Sequence, residues 1–323
     1  MNMLSRRHLL LASLAAAALP ARGQAFPARP LRILVPFAPG GSTDLLARLV
    51  AKPLGERLGQ PVVVENRPGA GGNIAADAVA KSAPDGHTLV MGSIGTHATN
   101  GLIYASMPYD AVRDFAPVTL VGAATLVLVV HPSLPARTVT ELVDLLRAKP
   151  GEYSYASGGV AASQHLAGEM FKYATKTQMQ HVPYKGSAGA LQDLLSGRVP
   201  IMFADLPLVL QHIQSGALRV LGVADPDRSP TLPNVPTVAQ AGVPNFSATA
   251  WYGLFAPART PEPVLAKLQG EVSEIVKLPD VRKTMLEMGA KPSGISGAEL
   301  RRFQESEIAR WRDVIREANI RME

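Results

Sequence analysis

Apolar positions along the chain follow two alternating patterns. Residues Leu31–Val35 form a short apolar run, read as a strand, and residues 45–58 follow with Leu45, Leu46, Leu49 and Leu58 spaced for one helical face. Residues 61–65 read as a second strand and 88–91 as a third, entered through a Pro84-Asp85-Gly86 turn. Further strands are expected at 153–156, 179–182, 199–203 and 219–223, and a Pro-rich loop at 225–236. Thr138 and Glu141 have the three-residue spacing of a capping box. After residue 256 only helices are expected. The last begins near Gly297, with Leu300, Phe303, Ile308, Trp311 and Ile315 in helical register. Strand–helix alternation of this kind implies parallel sheets covered by helices.

Two apolar runs, 126–130 and 251–256, are continuous rather than alternating, as expected of strands buried on both faces. They bracket the second α/β set and read as crossover strands joining two lobes. Lobe 1 is then residues 26–124 plus 250–323, and lobe 2 residues 125–249. A single large α/β domain is the alternative. The 323 residues suffice for two ordinary cores.

The N-terminus has a separate pattern. Arg6 and Arg7 precede an apolar run over 9–19, followed by Pro20 and a small-residue stretch ending Gly23-Gln24-Ala25. This is the layout of a signal peptide cleaved after Ala25, of either the Sec or the twin-arginine type. No later run reaches the ~18 apolar residues of a membrane helix, and no cysteine is present to carry a lipid anchor or a disulfide. The mature protein is expected in the periplasm. Formal charge is +6, and Arg6, Arg7 and Arg22 supply three of it, leaving about +3. Lys and Arg are scattered and aromatics are 5%, which argues against a nucleic-acid surface.

Candidate chemistry lies in two strand-to-helix loops. Phe37, Gly40, Gly41, Ser42 and Thr43 follow the first strand, where glycines let backbone N–H groups approach a ligand and a helix N-terminus favours an anion. Asp44 is read as stabilising the first helical turn. Ser157, Gly158 and Gly159, then Ser163, Gln164 and His165, repeat the arrangement in the second set. A Ser163/His165/Asp205 triad can be written on paper, making a periplasmic hydrolase one alternative and a ligand-sensing protein another. No metal-ligand spacing, phosphate loop, nucleophile elbow or dinucleotide fingerprint occurs, so no metal or cofactor is expected.

The segments VPFAPGGSTDLLAR, GQPVVVENRPGAGGNIAADAVAKSAPDGHTLVMG, YASGG, SQHLAGEMF, HVPYKGSAGALQDLLSGRV, LPNVPTVAQAG and WYGLFAPARTP, in this order, resemble the Bug (Bordetella uptake gene) proteins. These are TctC-like substrate-binding components of tripartite tricarboxylate transporters. The resemblance runs from about Pro30 onward. It implies an α/β, type II periplasmic-binding-protein fold: two Rossmann-like lobes joined by two crossover strands. It further implies a monomer that binds a small carboxylate and partners membrane transporter subunits. The same two loops would hold the ligand, with Thr96 as a further cleft residue. Two departures stand out. Ala161-Ala162 replaces the family's usual Gly-Thr before Ser163, and Asp205 stands where Asn is usual. They open the ligand to aromatic carboxylates or to an amino acid.

Overall fold

The computed structural model describes residues 26–317 and residue 320. The expected signal peptide, residues 1–25, lies outside them.

Strands β1 (Leu31–Val35), β2 (Val62–Asn66) and β3 (Thr88–Ser93) are parallel, in the order β2-β1-β3. Helices α1 (Ser42–Leu58) and α2 (Asn73–Ala80) connect them. A five-residue π-helical turn, Gly95–Thr99, and the short helix α3 (Asn100–Ile103) lead onward from β3. The sheet continues through β9 (Thr249–Pro257), antiparallel to β3, then β4 (Phe115–Val130) and the short β10 (Ala290–Pro292). A second sheet, ordered β6-β5-β7-β4-β8, contains β5 (Ser154–Ser157), β6 (Gln180–Pro183), β7 (Ile201–Asp205) and β8 (Arg219–Val223). It is covered by α4 (Val139–Ala148), α5 (Ser163–Thr175), α6 (Ser187–Leu195) and α7 (Leu206–Gln214). Helices α8 (Glu262–Ile275), α9 (Pro279–Glu287) and α10 (Gly297–Glu317) return to the first sheet.

β4 belongs to both sheets. Its residues up to Thr125 pair with β9, and those from Leu126 pair with β7 and β8. Leu126, Leu128 and Val130 face one core and Val127 and Val129 another, all fully buried, as the continuous apolar run requires. The run at 251–256 lies wholly inside the first sheet, and the chain crosses back just ahead of it, between residues 224 and 249. There Ala224 N–H donates to Leu126 O (2.8 Å) and Ala248 N–H to Ala224 O (2.9 Å). Buried Asp225 accepts from the Thr125 and Thr249 hydroxyls (2.8 and 3.0 Å) and from Lys291 Nζ (3.1 Å). One carboxylate thus ties both crossings and β10 together.

Three elements differ from the sequence pattern. β4 starts at Phe115 rather than at Leu126, because its first half is broken by bulges next to Pro117 and Gly122 that spoil the apolar periodicity. β10 interrupts the expected all-helical tail. In α1 the buried face is Leu46, Ala47, Val50, Ala51, Leu54 and Leu58, while Leu45 and Leu49 sit at its edge. The expected cap holds: Thr138 Oγ1 accepts from Glu141 N–H (3.1 Å), and Glu141 reaches back to Arg137 N–H (2.6 Å). In α10, Leu300, Trp311 and Ile315 are buried, and so is Glu307, which accepts from the indoles of Trp251 and Trp311.

Candidate functional site

The carboxyl ends of the parallel strands of both sheets open onto one small cavity between the lobes. Ligands of open α/β sheets sit at such strand ends. Of the loop residues singled out from sequence, Phe37, Gly41, Ser42, Thr43, Gly158, Ser163, Gln164 and Asp205 line it. Ala162, noted from sequence as a departure, also lines it, and sequence reasoning missed Ala38, Ser93, Ser187 and Tyr252, which do too.

Five of the singled-out residues lie outside the lining and serve its scaffold. Gly40 takes φ +88°, a left-handed turn that glycine adopts without strain, and donates its N–H to Asp44 (3.0 Å). Thr96 Oγ1 accepts from Ser93 N–H (3.0 Å) and sits 2.9 Å from His97 Nδ1, so it fixes Ser93 instead of facing the cavity. The Ser157 hydroxyl bonds Gly159 O (2.9 Å) and His181 Nε2 (2.7 Å). Gly159 belongs to a recess beyond Phe37 and Gly158. His165 Nδ1 accepts from Ala161 N–H (3.1 Å), and its ring stacks on His181 at 4.0 Å. Burial lowers His165 to a pKa of about 4. A nitrogen already accepting from the backbone cannot serve Ser163 as a base, and Asp205 is bound by Gln164 and Tyr252 rather than by a histidine. The residues of the paper triad are not linked as one.

Four helices begin at this cavity: α1, α5, α6 and α7. Their N-caps are Gly41, Ala162, Gly186 and Asp205, and none makes a side-chain capping bond. Each helix therefore leaves first-turn N–H groups without an internal partner, at the positive end of its dipole. Ala162, where a hydroxyl would cap α5, is one reason they stay free. Hydroxyls join them. Ser93 Oγ is buried without a hydrogen-bond partner, and so is Gln164 Oε1, while the buried Ser42 hydroxyl lies beside Asp205 and Tyr252. No Lys, Arg or His lines the cavity among the described residues. Asp44 lines it too, but its carboxylate is engaged by Gly40 N–H, Arg48 and Asn66 (2.9–3.0 Å). Burial pushes its pKa up, and these partners outweigh that and hold it below the usual carboxylate value. The sequence reading of Asp44 as a helix-start stabiliser fits this network.

Asp205 is different. It is 1% exposed, accepts from Gln164 Nε2 (2.7 Å) and Tyr252 Oη–H (3.1 Å), and has no cationic partner. Burial pushes its pKa up to about 6, against the pull of those donors. The same burial, with the carboxylate beside it, raises Tyr252 well above its ordinary value.

The lobes touch. Ala38 N–H donates to Lys185 O (3.0 Å), and Thr99 Oγ1 to Ala161 O (3.3 Å). Ala161 holds a left-handed φ of +59°. That conformation costs an L-residue roughly 1–2 kcal/mol, and the Thr99 and His165 bonds hold it in place.

Residues 46–320 match the model of the tripartite tricarboxylate transporter family receptor, TctC. The chain belongs to the TctC family. BugT of Bordetella pertussis is 40% identical over 306 residues, covering 94% of each chain. The solved structure of R. palustris Rpa4515 with adipate is 39% identical, with 91% of this chain and 98% of that one covered and a TM-score of 0.89. MatC (Rpa3494) from Rhodopseudomonas palustris with bound malate is 35% identical, covering 90% and 100%, with a TM-score of 0.86. The chain has the two-lobed, mixed α/β periplasmic-binding-protein fold of these TctC and Bug proteins.

Proposed function

We propose that this chain is a periplasmic solute-binding protein that closes on a small carboxylate and delivers it to a tripartite tricarboxylate transporter. One observation carries the reading: uncapped helix N-termini from both lobes, joined by buried serine hydroxyls, converge on one cavity without cationic side chains. Such a site binds an anion by directed hydrogen bonds and helix dipoles rather than by ion pairing. The adipate and malate named for two similar structures are both small carboxylates, which supports that class here. Export through the N-terminal signal peptide places the protein in the periplasm as a monomer. Residues 26–124 with 250–323 form one moving lobe and 125–249 the other, hinged at Asp225.

Capture without turnover is testable by thermal denaturation against mono-, di-, tri- and aromatic carboxylates. A ligand present at a hundred times its dissociation constant adds roughly 2.7 kcal/mol to stability. For a domain of this size class that is a rise of several degrees in Tm. A flat response across the whole panel overturns the reading. Mass spectrometry of periplasmic protein should find an N-terminus near Phe26, and a retained Met1 in soluble cytoplasmic protein contradicts export.

A further inference from the structure

The cavity has an accepting side as well as a donating one. Both amide protons of Gln164 are committed, to Asp205 Oδ2 (2.7 Å) and Ser187 Oγ (3.1 Å). That fixes the amide orientation, because the flipped form would set its oxygen against the Asp205 carboxylate. Gln164 Oε1 is therefore an acceptor, 4% exposed as a residue and without a partner. Asp205 accepts from Gln164 and Tyr252 and has the Ser42 hydroxyl and its own backbone N–H beside it; all are neutral donors, so its charge stays unmatched beside Gln164 Oε1. An acceptor pair of this kind, one member a carboxylate without a counterion, is costly to bury unless a donor arrives to meet it. A plain carboxylate ligand would satisfy the serine hydroxyls and helix amides but would leave this pair unmet and add a second negative charge.

We propose that the ligand is a carboxylate that also carries a protonated amino group, with the carboxylate on the serine hydroxyls and helix N-termini and the ammonium on Asp205 and Gln164 Oε1. The proposal rests on the carboxylate-binding reading and narrows it. Asp205 becomes the specificity-determining residue. Around it stand Tyr252 from β9, held protonated, Gln164 from α5, the Ser42 hydroxyl of α1 and, across the cavity, Asp44, whose charge is matched by Arg48. None of these supplies a positive charge to Asp205.

The test is titration calorimetry with matched triples on one carbon skeleton at a time: propionate, lactate and alanine; succinate, malate and aspartate; glutarate, 2-hydroxyglutarate and glutamate; 3-phenylpropionate, phenyllactate and phenylalanine. On the skeleton that binds best, the amino member should bind at least tenfold tighter than the unsubstituted one at pH 7.5. The two should respond oppositely to pH. Lowering the pH from 7.5 to 5 protonates Asp205, which weakens the amino ligand and tightens the unsubstituted one. Asp205→Asn should shrink the tenfold gap to about threefold or less and remove the opposed pH responses. An unsubstituted or hydroxy member that binds as tightly as the amino member, or parallel pH responses in the wild-type protein, overturns this inference and leaves carboxylate capture standing. Silence from every triple overturns this inference, and carboxylate capture falls with it only if the wider carboxylate panel is silent too.

Discussion

Buried Asp205 should govern how stability depends on pH. Its folded pKa of about 6 lies above the ordinary value of 3.8. Between those pH values the folded chain keeps a proton that the unfolded chain has lost, so stability falls as pH rises through the window. The loss is complete above pH 6, at about 3 kcal/mol for a shift of this size. Asp205→Asn removes it. The variant should be more stable than wild type above pH 7 by up to that amount, with the difference vanishing near pH 4. Urea unfolding at both pH values checks this, and a pH-independent difference contradicts it. The cleft glycines give a second test. A Cβ on Gly158 would lie 2.7 Å from Ser187 Oγ and 3.0 Å from Ser187 N, whereas one on Gly41 would come no closer than 3.9 Å to Ser187. Gly158→Ala should therefore weaken ligand binding by more than tenfold and Gly41→Ala by far less; titration showing an equal or larger loss for Gly41→Ala contradicts this. Loss of one hydroxyl in Ser42→Ala or Ser163→Ala removes a bond to a charged group worth about 1.5–3 kcal/mol, roughly ten- to a hundredfold in affinity.

Among the elements, the two lobe crossings are the proposed hinge. β4 passes unbroken from one sheet to the other, and Asp225 fastens the return crossing to it through Thr125 and Thr249. Asp225→Ala deletes those bonds and the Lys291 pair and should cost about 2–3 kcal/mol. It should also loosen closure, so that ligand brings a smaller change in shape than in wild type. Unchanged stability and shape response would place the hinge elsewhere. β1 and β8 were legible in the sequence to the residue, because each is a short apolar run with clear borders. The first half of β4 was not, since bulges at Pro117 and Gly122 hide a strand whose pairing is set by β9. The two glycine-rich loops were legible because strand, glycine, hydroxyl and helix follow one another locally. The same Gly-Ser signal stands at Gly186-Ser187 and could have located Ser187. Ser93 and Tyr252 could be placed only by tertiary structure, since they come from strands far apart in the chain. Thr96 and His165 carry the right chemistry at the right loops, yet their side chains turn inward to hold the scaffold.

At the scale of the whole molecule, the account is a clamp whose two jaws each present part of one anion site. The direct contacts Ala38–Lys185 and Thr99–Ala161 describe the jaws closed. Small-angle scattering should show a smaller radius of gyration with saturating ligand than without, as expected of hinge closure. An unchanged radius would indicate lobes that do not move. The central claim is capture of a small carboxylate without chemistry. It is tested most directly by incubating the purified protein with the carboxylate panel, removing free ligand, denaturing the protein and identifying what is released by mass spectrometry. The account predicts about one equivalent per chain of a single carboxylate, chemically unchanged. Release of none, or of a hydrolysed or otherwise altered product, would contradict it.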